Sequence, residues 1–170
     1  MNRRNLQVGA LLFVCLAVAT RVWAHGNENR KAEAMVGNAK VTIEYAAPDL
    51  KGRDISKMIQ PGKLWRLGAD KPTTLESDAD LDFGGTRVPK GKHILLARYD
   101  APGKWTLVVS SKTVNQFQPD AKLAEAPMRV EDKKDSTEAM SIELTGDSGQ
   151  GTITVDWGTQ RLVATFAPAK

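Results

Sequence analysis

Few side chains in this chain are equipped for covalent or metal chemistry. It has two histidines, His25 and His93, and one cysteine, Cys15, which lies in an apolar run near the start. Imidazole nitrogen suits Cu(II) in tetragonal geometry. If proteolysis makes His25 the amino terminus, its amine and ring chelate copper together, and His93 supplies the third nitrogen of a T-shaped brace. A Ser–His–acid triad would draw on the same two histidines. No G-x-S-x-G elbow, H-E-x-x-H pair, paired C-x-x-C or glycine-rich phosphate loop occurs. Asp78, Asp80 and Asp82 form D-x-D-x-D, but Phe83 and Pro89 stand where a calcium loop needs Gly and Glu. At strand spacing these carboxylates share one face, and the expectation is a solvated face that discourages edge pairing. A hydrolase using a pair of Asp or Glu side chains stays open, because sequence does not fix carboxylate separation.

The densest polar and aromatic stretch is "GKLWRLGADKPTT", residues 62–74. On a strand, Trp65 and Leu67 face one way and Leu64 and Arg66 the other, so Trp65 and Leu67 are expected in the core. Asp70 follows four residues after Arg66, beyond Gly68, which is able to turn the chain back. Two readings follow. In one, an Arg66–Asp70 clamp locks a corner, with Thr73 or Thr74 bonding freed backbone groups. In the other, Arg66 is the forked donor of an anion or carboxylate site. With Arg53 added for its charge beside Gly52, the candidate ligand set is Arg53, Trp65, Arg66, Asp70 and Thr74.

The elements that position these residues read as strands. Period-two alternation runs through Val41, Ile43 and Tyr45; Trp105, Leu107 and Val109; Met140, Ile142 and Leu144; Ile153, Val155 and Trp157; and Leu162, Ala164 and Phe166. Residues 93–97, "HILLA", are apolar on both faces and belong at the centre of a sheet. Gly84-Gly85, Pro102-Gly103, Gly158-Thr159 and the stretch from Gly146 to Gly151 read as hairpin turns. No long segment keeps a helical period. Residues 112–127 read as a loop with a short helix near Asp120 to Ala124. Residues 25–39 read as a flexible polar lead-in with one helical turn around Ala32 to Met35. The expected fold is all-β: an antiparallel β-sandwich, jelly-roll-like or barrel-like, over residues 40–168, with at most one or two short helices.

Arg3 and Arg4, the apolar run Val8 to Ala19 and the small-residue site ending at Ala24 read as a cleavable secretory signal peptide over residues 1–24. The run is too short for a bilayer span. A cut after Ala19 is the alternative. Export to the periplasm or beyond follows, with no membrane span after cleavage. The chain has 24 basic and 20 acidic residues; the leader removes Arg3, Arg4 and Arg21 and no acid, which leaves 21 against 20, a net of +1. The basicity therefore belongs to targeting, and no nucleic-acid footprint remains. Cleavage also removes Cys15, so the core alone must hold the domain.

Four stretches carry a resemblance: "VTIEYAAPDLKGRDI" (41–55), "PGKLWRLGADKPTT" (61–74), "GGTRVPKGKHILL" (84–96) and "GKWTLVVS" (103–110). The chain resembles the bacterial domain-of-unknown-function family 2911, through Tyr45, Pro48, Lys51, Gly52, Arg53, then Gly62, Trp65, Arg66, Gly68, Ala69, then Thr73, Thr74, Val88, Pro89, Gly91 and Trp105. It departs at Asp70, where the family pattern implies Asn, and at His93, where it implies an aromatic. The resemblance implies an exported β domain and carries over no catalytic residues. The functional expectation is a non-enzymatic module that binds a small ligand or an envelope partner, with no resident cofactor. The alternatives are a copper protein built on His25 and His93, and a purely structural envelope domain.

Overall fold

The structure, a computed structural model, describes residues 27–170. Among them are ten strands: β1 (Glu28–Val36), β2 (Ala39–Ala47), β3 (Leu64–Trp65), β4 (Thr74–Ser77), β5 (Leu81–Phe83), β6 (Thr86–Val88), β7 (Gly91–Ala101), β8 (Lys104–Ser110), β9 (Lys122–Gly146) and β10 (Gly151–Pro168). Helix is confined to one turn, α1 (Ile55–Met58), and to 3-10 turns at Val114–Gln116 and Pro119–Ala121. Every pairing is antiparallel, in the order β1-β2-β4-β7-β8-β9-β10-β5-β6, with β3 added beside β7. The fold is all-β, as the alternation implies, and β7 sits centrally. The sheet does not close into a barrel.

Two long strands make the sheet double over. The first part of β9 pairs with β8, from Trp105↔Met128 to Ser110↔Lys122. The remainder pairs with β10, from Val163↔Arg129 to Gly151↔Gly146. One strand thus serves both layers, and the inward residues of each half meet. Contact between layers is direct. The Tyr45 hydroxyl on β2 accepts from the Ile142 N–H on β9 at 2.9 Å. A Cβ on Gly146 would lie 2.2 Å from the Met35 carbonyl oxygen, so only glycine lets β1 and β9 approach this closely. The alternating positions named above fill the core: Val41, Ile43, Leu107, Val109, Met140 and Ile153 have no exposed surface.

Three sequence expectations need correction. Residues 28–36 are not a mobile lead-in with a helical turn but strand β1, in full register with β2. Gly37-Asn38 is the two-residue loop joining them, with φ +56 at Gly37. Residues 122–127 are not loop: Ala124, Ala126 and Met128 alternate inward as the start of β9. The helical turn expected near Asp120 ends at Ala121.

Gly158-Thr159 does not join two strands. β10 runs through it, and the register slips on both sides of Gly158, from Asp156↔Ser141 to Gly158↔Thr137 to Gln160↔Asp132. The extra residues lie on β9, so its 132–141 segment is bulged against β10. Pro48 to Leu50 bond to that bulge through Met140 N–H to Pro48 O at 3.0 Å and Leu50 N–H to Glu138 O at 2.7 Å. Gly158 has φ +58, and a Cβ there would lie 3.1 Å from Ile55 Cδ1. Gly158→Ala is expected to lower unfolding free energy by about 1–2 kcal/mol, because a left-handed alanine is strained and Ile55 must shift as well. Urea unfolding of the two proteins measures this.

Candidate functional site

Arg66 is placed by a short strand and a strained loop. β3 pairs Leu64 with Arg98 and Trp65 with Ala97. That sends Trp65 inward, where it stacks on Trp157 at 5.5 Å and meets Trp105 edge-on at 6.2 Å. Trp65 remains half-buried, whereas Trp105 and Trp157 are buried. Arg66 turns to the opposite side. Leu67 and Asp70 then adopt φ +52 and +53, two left-handed non-glycine residues within four positions. The surroundings hold them there: the Thr73 hydroxyl donates to the Leu67 carbonyl at 2.8 Å, and Ala69 N–H donates to the Ala46 carbonyl at 3.0 Å. Gly68 is forced, since a Cβ would sit 2.9 Å from Thr73 Oγ1 and 3.0 Å from the Ala46 oxygen.

The corner is therefore locked by Thr73 and the backbone, as one reading of the sequence expected for Thr73. The Arg66–Asp70 carboxylate clamp is not formed. Arg66 Nη1 donates to the Asp70 carbonyl oxygen, at 3.3 Å, and Asp70 Oδ2 accepts from Asn27 Nδ2 at 2.8 Å. Arg30, Arg87, Arg98, Arg129 and Arg161 each meet a carboxylate. Among the described residues, Arg66 meets none.

Arg66 and Asp70 line one cavity of about 110 Å³. Its other polar residues are Thr113 and Asn115, delivered by the 3-10 turn after β8. Pro72, Ile94, Leu96 and Val114 make its apolar wall. Thr113 and Asn115 escaped sequence reasoning. They lie more than forty residues beyond Arg66 in a segment read as irregular, and no local spacing announces that meeting.

The other proposed ligand residues lie elsewhere. Arg53 closes its own turn, with Nε donating to the Leu50 carbonyl at 3.0 Å and Nη2 to the Asp49 carbonyl at 2.6 Å. It borders a separate cavity of about 370 Å³ beside Gly158. Thr74 lines an open cleft of about 590 Å³ with Lys31, Glu44, Lys71 and Lys92. In that cleft Lys92 bonds Glu44 at 2.9 Å and Lys31 bonds Glu33 at 2.6 Å, so much of its charge is neutralised internally. The five candidates do not converge; only Arg66 and Asp70 share a site.

His93 Nε2 donates to the Pro89 carbonyl at 2.7 Å. His25 lies outside the described residues, as does the leader. Among the described residues, no three His, Cys, Asp or Glu side chains are grouped to hold a metal. Asp78, Asp80 and Asp82 are not simply a solvated face. Each carboxylate accepts a different backbone N–H, from Lys40, Lys90 and Gly85, all at 2.8 Å. Asp80 also holds Arg87, and these two donors, Lys90 N–H first, keep its carboxyl below the usual range.

The fold and site together define an open, doubled-over antiparallel β domain with a small polar-and-apolar cavity beside a strained loop. Residues 27–166 match the family described as "Protein of unknown function (DUF2911)", and the chain belongs to it. No curated protein and no solved structure matches the chain.

Proposed function

We propose that this protein is an exported binding module that holds a small carboxylate-bearing ligand at the Arg66 corner. The observation that carries the reading is the Arg66 side chain, half-buried as a residue, which lines a 110 Å³ cavity and whose guanidinium has one 3.3 Å bond to a carbonyl and meets no carboxylate among the described residues. The guanidinium fork fits a carboxylate through two parallel bonds. Thr113 and Asn115 supply further polar contacts against an apolar wall, the usual composition of a ligand pocket. Backbone strain at Leu67 and Asp70 adds weight, because such residues gather at ligand sites.

Several carboxyls outside the Arg66 cavity are held below their usual ranges. Glu33, Glu44, Asp80, Asp100, Glu125, Asp147 and Asp156 are all lowered. Ion pairs and backbone donors do this; a general acid working at neutral pH needs the opposite. Export rests on the leader-like residues 1–24 and is tested by amino-terminal sequencing of the secreted protein, which should begin at His25.

Arg66→Ala tests the site. The expected result is loss of 4-methylpentanoate binding in calorimetry, with unfolding free energy reduced by only about 0.5–1 kcal/mol, the worth of one long hydrogen bond. Unchanged binding overturns the proposal. So does a stability loss above about 3 kcal/mol, the size expected of a structural lock.

A further inference from the structure

The cavity beside Arg66 contains an opposite charge that Arg66 does not neutralise. Asp70 stands at its mouth, and Arg66 reaches the Asp70 main-chain carbonyl instead of its carboxylate. Asp70 Oδ2 is taken by Asn27, which leaves Oδ1 with no partner among the described residues. A cation and an anion thus border one small space without meeting each other. Between them the wall is aliphatic: Ile94 and Leu96 from β7, with Val114 and Pro72 closing in.

A simple carboxylate would answer Arg66 and be repelled by Asp70. A dication would do the reverse. The ligand that satisfies both carries a carboxylate and an ammonium a few bonds apart, plus an aliphatic group for the wall. We infer that the Arg66–Asp70 cavity binds a free aliphatic α-amino acid, its α-carboxylate on Arg66 and its α-ammonium on Asp70. This rests on the carboxylate reading above and names the ligand class. The left-handed backbone at Asp70 fits the role, since it holds the carboxylate at the cavity mouth in a conformation that Asp and Asn tolerate better than other side chains do. Thr113 and Asn115 are placed to accept or donate at the remaining polar atoms.

L-Leucine and 4-methylpentanoate differ only by the ammonium group, so calorimetric titration of the secreted protein with each separates the two levels of the proposal. Leucine is expected to bind about tenfold or more tightly than the acid, the effect of one charge-assisted hydrogen bond. Asp70→Asn, which keeps the left-handed conformation and an acceptor for Asn27, is expected to erase that preference while melting at the same temperature as the parent. Equal or tighter binding of 4-methylpentanoate by the parent overturns the amino-acid inference and leaves the carboxylate site standing. A leucine preference that persists in Asp70→Asn also overturns it, because the ammonium is then read elsewhere. If neither compound binds, both readings fall.

Discussion

Replacing Trp157 with alanine is expected to cost about 3–5 kcal/mol of unfolding free energy, the largest single-residue loss in the fold. Trp157 is only 4% exposed and lies between layers, stacked on Trp65 with the ring planes 10° apart. Trp65 in turn meets Trp105, whose ring packs against Tyr99 at 4.9 Å. Removing the indole leaves a void that surrounding strands are unable to close, since β3 and β10 are each fixed by their own pairing. Trp157→Phe is expected to cost distinctly less. It keeps a ring and also deletes a buried Nε1–H that has no acceptor among the described residues. Chemical unfolding of the three proteins ranks them. A loss below about 1 kcal/mol for Trp157→Ala would show that the layers do not meet through this indole.

Asp156→Asn is the second large effect, expected at about 2–3 kcal/mol at neutral pH. Asp156 is 9% exposed on β10, and its carboxylate takes two bonds from Arg161, both 2.8 Å, and one from Lys133 at 2.9 Å. Breaking one partner of a buried ion cluster costs about 3–5 kcal/mol. The figure is reduced here because the Arg161 side chain is 38% exposed and partly served by water. The Arg161 hydrogen bonds, with Lys133 behind them, hold the Asp156 carboxyl below the ordinary aspartate range against the opposing effect of burial. A depressed folded-state value gives stability that is fully present above the unfolded value, about 3.9, and is lost as pH falls through the folded value. The gap between parent and Asp156→Asn should therefore be constant near neutrality and narrow below about pH 4. A gap that widened in acid would contradict the ion cluster.

Much of the sheet was legible because its core residues are large and alternate. Ile43, Leu107, Met140 and Ile153 carry their own period. Where the inward residues are small or polar, the same period was present but faint. In β1 the inward positions are Arg30, Ala32, Ala34 and Val36, and Arg30 is inward because it donates to the Met140 carbonyl at 3.3 Å. In early β9 they are Ala124 and Ala126. The Gly37-Asn38 pair was a readable hairpin signal for β1. Gly158-Thr159 reads as a hairpin turn, but sequence alone does not separate a turn from a bulge; the slip against β9 decides it.

The site was legible in part for a related reason. Opposite facing of Trp65 and Arg66 follows from strand geometry, and the Thr73 bond follows from a turn that frees carbonyls. Which group Arg66 meets depends on the left-handed turn at Asp70, which swings the carbonyl, not the carboxylate, toward the guanidinium. The arrival of Thr113 and Asn115 depends on the path of the chain after β8, a long-range matter. The Asp156 cluster has the same origin: its Lys133 comes from the bulged part of β9.

The most direct test of the account is where a ligand lands. Nitrogen–proton correlation spectra of the protein, recorded at mildly acidic pH during titration with L-leucine, report arginine Nε–H, asparagine side-chain and backbone amides together. The account predicts shifts concentrated at Arg66 Nε–H, the Asn115 side-chain amide and the Asp70 and Thr113 backbone. Shifts concentrated instead at Lys31, Thr74 and Lys92 of the open cleft, or no shifts at all, would contradict it.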